Sequence, residues 1–138
     1  MGLLRPNRVA HAHCDLFCGV YDPAQAKIEA MSVLKTAQKY HDSDDEVFRA
    51  RAISIKEERA EDVKHHLMVL WADFFTPAHR QEFPELDDLF WRAINQAGNA
   101  KKSMDPAEGE TLIGLIDEIA AIFWKTEKAQ GMGVYPPG

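Results

Sequence analysis

No run of this chain approaches the roughly 20 apolar residues of a membrane span, so nothing in it is predicted to cross a bilayer. Basic residues are also scarce. The 16 Lys and Arg are outnumbered by 22 Asp and Glu, leaving a formal net charge of -6, whereas a nucleic-acid partner needs clustered cations. The first twelve residues, MGLLRPNRVAHA, hold two arginines but no apolar core of about 7–15 residues, so they are not read as a secretory signal. Pro6 stands where a myristoylation site requires Ser or Thr. Cysteine is nearly absent, with two in 138 residues. A Cys14–Cys18 bridge would close a tiny loop and stabilise little. Strand alternation and internal repeats are missing too. What remains is an acidic chain of ordinary composition, expected to be soluble and cytoplasmic. In a reducing compartment its two thiols are free, metal-bound or redox-active.

After Tyr21 the chain is punctuated as four helices. Asp22-Pro23 predicts an N-cap followed by proline at the first helical position. Ala26, Ala30, Val33, Ala37 and Tyr40 then share one face. Ser43 to Glu46 has the form of a capping box for a long second helix running to Phe75, with Ile53, Ala60, Val63, Leu67, Leu70 and Phe74 inward. Thr76-Pro77 breaks it. Pro84 starts a third helix burying Leu86, Leu89, Phe90, Ala93, Ile94 and Ala97, with Gly98 weakening its end. Asp105-Pro106 starts a fourth that buries Leu112, Leu115, Ile116, Ile119, Ile122 and Phe123. Four amphipathic helices with short connections predict an all-α fold, an antiparallel up-down four-helix bundle over residues 22–130. Residues 131–138 are expected to form a frayed tail.

Both cysteines fall in one stretch, His13-Cys14-Asp15-Leu16-Phe17-Cys18-Gly19-Val20-Tyr21. Two thiolates and an imidazole within six residues are a compact set of soft and borderline donors. A cut between Ala12 and His13 would add an α-amine, whose pKa of about 7.7–8.0 lets a metal displace its proton. The Cys14 amide nitrogen then closes a five-membered chelate with that amine. Amine, amide and two thiolates can lie in one plane, which suits divalent nickel or copper, whereas zinc prefers a tetrahedron.

The stretch closely resembles the hook of nickel-containing superoxide dismutase, H-C-x-x-P-C-G-x-Y, with Phe17 in place of the family's proline. The resemblance continues through Asp22-Pro23-Ala24-Gln25-Ala26, Ile55 to Glu61, Lys64-His65-His66-Leu67, Val69-Leu70-Trp71, Asp105-Pro106-Ala107 and Ile122-Phe123-Trp124. It implies a leader, residues 1–12, that a maturation protease removes, and a nickel hook over 13–21. One nickel ion per subunit would be bound by His13, Cys14 and Cys18: the His13 amine, the Cys14 amide and both thiolates in the plane, the His13 imidazole axial. Glu29 and Arg59 match the residues that hold this imidazole, and Tyr21 matches the tyrosine over the open axial face. A second family tyrosine is Phe74 here. The implied reaction is disproportionation of superoxide to dioxygen and hydrogen peroxide, in a homohexamer dependent on a nickel supply.

Without the resemblance, Glu29 would be an ordinary helix residue and Arg59 a surface partner of Glu58 or Glu61. His65 and His66 are adjacent rather than four apart, so they do not form a helical ligand pair. His41 and His79 read as solvated groups near helix ends, and Trp71, Trp91 and Trp124 as core or subunit-interface residues. A ferritin-like di-iron bundle is excluded, because it needs two Glu-x-x-His motifs and none occurs. The alternative is a catalytically impaired or non-catalytic helical-bundle protein that binds metal, a reading that Phe17 and the uncut leader support.

Overall fold

The computed structural model describes residues 19–131. The leader, most of the hook and the tail after residue 131 lie outside the described residues. Four long helices carry the fold: α1 (Ala24–His41), α2 (Glu46–Val69), α4 (Leu86–Lys102) and α5 (Pro106–Lys125). Two short ones, α3 (Pro77–Glu82) and α6 (Glu127–Gly131), were not expected from the sequence. A single π-helical turn, Leu70–Phe74, extends α2.

Start signals work through named atoms. Asp22 Oδ1 accepts from the Ala24 N–H at 2.8 Å, and the Pro23 carbonyl already accepts from the Lys27 N–H. Asp105 caps α5 ahead of Pro106 in the same way. The cap of α2 is Asp45 rather than Ser43. Its carboxylate accepts from the Val47 and Phe48 N–H groups at 2.8 and 3.0 Å, while Ser43 accepts from the Asp45 N–H. An aspartate adjacent to the helix reaches two orphan donors at once, so it displaces the more distant serine.

The long helices form a ring in which α1 packs on α2 and α5, and α4 packs on α2 and α5. Cross-helix pairs run in opposite directions. Early Lys27 meets late Asp117 at 2.7 Å, and late Leu34 lies against early Gly109. Glu29 meets Arg59, while the later Tyr40 meets the earlier Arg49. The bundle is therefore antiparallel and up-down, as its short connections imply. Gly109 permits the α1–α5 approach, since a Cβ there would sit 2.9 Å from Leu34 Cα.

The core contains every residue expected inward on α5, each of which contributes about 1.5–3 kcal/mol by burial if large and aliphatic or aromatic. On α2 the stripe is offset. Ile53 is exposed, and Ala52 and Lys56 take the inward places ahead of Ala60, Val63, Leu67, Leu70 and Phe74. The 4-4-3-4-3-4 spacing of those seven holds one helix face, which Ile53 misses by a residue. On α4, Ile94 is only partly buried, and the helix runs four residues past Gly98 to Lys102, because packing overrides the cost of one glycine. Trp91 and Trp124 are exposed, so neither is core, while Trp71 packs tilted on Phe90.

Lys56 is the unexpected core member, 1% exposed. Its Nζ donates to the carbonyls of Ala100, Lys101 and Ser103 at 2.5, 2.7 and 2.6 Å. The last carbonyls of a helix lack partners within it and carry partial negative charge. The ammonium supplies both needs, although burial pushes its pKa below the ordinary lysine value, against a smaller opposing effect of Glu57.

Candidate metal centre

The described chain begins at Gly19, directly after Cys18. Gly19 has φ of +74°, a left-handed conformation that side chains rarely adopt. The exit from the hook therefore requires glycine. Val20 is exposed and Tyr21 is buried, so the chain enters the bundle at the tyrosine. The Asp22 carboxylate next to it has one oxygen on the α1 cap and the other buried without a hydrogen-bond partner.

Tyr21 meets Phe74 edge-on, with ring centroids 5.8 Å apart. Phe74 is fully buried in the π turn. That turn, closed by the Phe75 N–H on the Leu70 carbonyl at 3.0 Å, carries Phe74 and Phe75 to the end of α2. There Phe74 packs 4.2 Å from Phe123 and stacks on His79 at 5.8 Å. His79 is not a solvated group. Its Nδ1 accepts from the Thr76 N–H at 3.1 Å, and its own N–H donates to Thr76 Oγ1, completing a capping box for α3. Burial, then the nearby Lys128 charge, lowers its pKa from the usual histidine value, with Glu82 opposing. Lys128 of α6 donates from Nζ to the Phe74 carbonyl at 2.9 Å and lies 5.6 Å from the centre of the Tyr21 ring.

Glu29 and Arg59 come together across the α1–α2 seam. Arg59 Nη1 is 3.2 Å from Glu29 Oε2, and both side chains are mostly covered. Arg59 Nη2 also pairs with Glu58 at 2.6 Å and Asp62 at 3.1 Å. Hydrogen bonding to Glu58, more than the charges of Glu29 and Asp62, raises its pKa. It is a permanent cation, oriented by three carboxylates toward α1. Tyr21 precedes α1, and the Glu29–Arg59 pair lies further along that helix. His13, Cys14 and Cys18 lie outside the described residues.

Among the described residues no group of three or more His, Cys, Asp or Glu could hold a metal ion. His65 and His66 face each other with rings 5.6 Å apart and gather no third donor. Both thiols of the chain, Cys14 and Cys18, stand close to His13 in the sequence, and two thiolates with nitrogen donors fit nickel.

The family model of nickel-containing superoxide dismutase matches residues 8–127, which takes in the whole hook. The chain belongs to the nickel-containing superoxide dismutase family. Nickel is the cofactor and superoxide dismutation the activity of this family. A curated relative from Streptomyces seoulensis, superoxide dismutase [Ni], is 50% identical over 127 residues, 92% of this chain and 97% of its own length. Its counterpart from Streptomyces coelicolor is 49% identical over the same shares. The native structure of a nickel superoxide dismutase superposes with a TM-score of 0.81 at 50% identity, covering 83% of this chain and 99% of that one. A structure with nickel ligation of the oxidised state gives 0.81 at 52% identity, covering 85% and 100%. Sequence reasoning missed Lys128 and His79. The Thr-Pro-Ala-His spacing signals the His79 cap, but nothing in the sequence signals Lys128.

Proposed function

We propose that this dismutase becomes active when residues 1–12 are cut away and His13 becomes the N-terminus. Nickel would then be held by the His13 amine and imidazole, the Cys14 amide and thiolate, and the Cys18 thiolate. The observation that carries this reading is the family match over residues 8–127, a range that takes in His13, Cys14 and Cys18. When bound, nickel supplies the electron exchange of dismutation by passing between its divalent and trivalent states.

The protein's own residues do the rest. Two superoxide ions and two protons yield one dioxygen and one hydrogen peroxide, so the site must admit an anion and deliver protons. Tyr21, held against Phe74, borders the open face where the anion arrives. In this reading Glu29 would accept from the His13 imidazole, with Arg59 fixing that carboxylate by the 3.2 Å ion pair. The overall charge of -6 repels superoxide, so attraction is local. Among the described residues no helix is long and apolar enough to cross a membrane. The resemblance supports a homohexamer, with a maturation protease and a nickel supply as partners.

The test is mass spectrometry of active protein, reading its N-terminus and its bound metal together, beside a superoxide assay. The expected result is His13 as the first residue, one nickel per subunit, and no activity in uncut protein. Full activity with residues 1–12 attached overturns the maturation reading.

A further inference from the structure

The net charge of the chain opposes superoxide, so the placing of individual cations decides where the anion is drawn. Where cations of the bundle are fixed in place, the partner is commonly a carboxylate. Lys27 pairs with Asp117, Lys101 with Glu61 and Arg59 with three acids, and such pairs largely cancel at a distance. Lys128 is fixed by other means. Its Nζ donates to the Phe74 carbonyl at 2.9 Å, and lies 4.6 Å from the centre of the Phe74 ring and 5.6 Å from that of Tyr21. Both ring distances suit a cation over an aromatic face. The α6 turn that carries it is anchored by buried Thr126, whose Oγ1 accepts from the Ala129 N–H at 3.2 Å. No carboxylate of the described residues pairs with Lys128, neither Asp22 beside Tyr21 nor Glu127 beside it on α6. Its charge is felt nearby: after burial, it is the next cause of the lowered His79 pKa.

We propose that Lys128 is the steering residue for superoxide: its fixed ammonium, paired with no carboxylate, draws the anion to the face that Tyr21 borders. This rests on the reading of Tyr21 as the residue bordering that face, and is independent of how the Tyr21 ring itself is held. Covalent reach brings the reacting centre within range. Cys18 stands three residues before Tyr21, and an extended chain covers about 3.3–3.6 Å per residue, so the two backbones are within roughly 11 Å of each other. That is close to the screening length of about 10 Å at 0.1 M ionic strength, so the charge acts over the last stretch of the approach. Lys39 offers the contrast. It is exposed near the other end of α1, about 22 Å along the helix from Ala24 at 1.5 Å per residue, and salt screens it from the same face.

Two measurements on protein cut after Ala12 test the assignment, one with nickel and one without. In nickel-loaded protein, Lys128→Gln keeps a donor for the Phe74 carbonyl but loses the charge. It should lower kcat/KM for superoxide by roughly twofold to fivefold at low salt, with nickel content unchanged. The gap to wild type should close as salt rises toward 1 M, where the screening length is about 3 Å. Lys128→Glu should lose more, and Lys128→Arg should match wild type. Lys39→Gln removes the same net charge and should change neither rate nor salt dependence. In metal-free protein, the two thiols report the local field by their alkylation with anionic iodoacetate and neutral iodoacetamide. The ratio of the two rates should fall in Lys128→Gln and stay at the wild-type value in Lys39→Gln. Wild-type salt dependence in Lys128→Gln overturns the proposal, as does a loss that persists undiminished at 1 M salt, or an equal loss in Lys39→Gln. Slow turnover in Tyr21→Phe beside wild-type behaviour in Lys128→Gln overturns the steering role alone. Wild-type turnover in Tyr21→Phe beside a flattened salt dependence in Lys128→Gln supports the steering role and removes only the reading of Tyr21.

Discussion

The two ends of the bundle are closed by opposite means. At the end where the hook enters, Tyr21, Phe74, Phe75, Phe123 and His79 pack ring against ring around a π turn. At the far end, side chains reach across to backbone carbonyls. Lys56 takes three from the end of α4, His41 Nε2 lies 2.8 Å from the Met104 carbonyl, and Arg49 Nε donates to the Ser43 carbonyl. The first kind of closure is non-directional, tolerant of small displacements and leaves polar groups few in number. The second is directional and pins loops in one place. The end where the chain after Cys18 joins the bundle is built from rings. The opposite end is tied by hydrogen bonds.

The largest expected effect separates chemistry from fold altogether. Cys14→Ser or Cys18→Ser should abolish nickel binding and dismutation, because a hydroxyl is a poor substitute for a thiolate toward nickel. Metal-free protein should melt within about 0.5 kcal/mol of wild type, since the donors precede the bundle. Metal analysis and thermal melting of the same samples make the check. A serine variant that still binds one nickel per subunit would show that the ligands are elsewhere.

Next, the two closures can be broken one at a time. Phe74→Ala removes a fully buried ring and should cost about 3–5 kcal/mol in urea unfolding. Lys56→Met fills similar space but leaves helix-end carbonyls without their donor. The expected cost is about 2–3 kcal/mol, with activity of the nickel-loaded protein preserved. If Lys56→Met damaged turnover as much as Phe74→Ala, the two ends would not be functionally distinct.

A smaller effect is expected at Phe17. Proline restricts φ and favours a tight turn between the two cysteines, whereas phenylalanine leaves more conformations open and makes a cis bond cost about 2.5–4 kcal/mol. Phe17→Pro should therefore raise nickel affinity and turnover, leaving the bundle melt unchanged, because a larger fraction of chains is competent to bind. Nickel titration of both proteins after cleavage at Ala12 decides this. Equal affinities would mean that the hook closes as well without proline.

The smallest effect is a pH dependence confined to the ring-closed end. His79 has its pKa lowered in the fold, mainly by burial. The unfolded chain therefore binds the proton more readily, beginning near the ordinary value of about 6.5. Stability contributed by neutral His79 is present above that pH and is lost as pH falls through the folded pKa. Melting temperature measured from pH 7.5 to 5 should fall less steeply in His79→Gln than in wild type. Parallel slopes would show that His79 does not titrate with folding.

The amino-acid sequence by itself determined the helical class, the Asp-Pro starts of α1 and α5 and the inward face of α5, and it proposed the donor set at His13, Cys14 and Cys18. Each depends on neighbours in the chain: a cap reaches two or three residues, a helical face repeats every three or four, and a chelate needs adjacent donors. Tyr21, Glu29 and Arg59 came to notice only through family resemblance, because a lone tyrosine or an ion-paired arginine has no local signature. Tertiary structure alone decided the rest. Ile53 yielded its inward place to Lys56 because the carbonyls that satisfy a buried ammonium come from α4, more than 40 residues away in sequence. Lys128 reached Tyr21 for the same reason, since α6 meets the start of α1 only after the whole bundle has folded back on itself. A hydrophobic pattern records which face turns inward, but not which distant atoms wait there. That is set by where the chain returns.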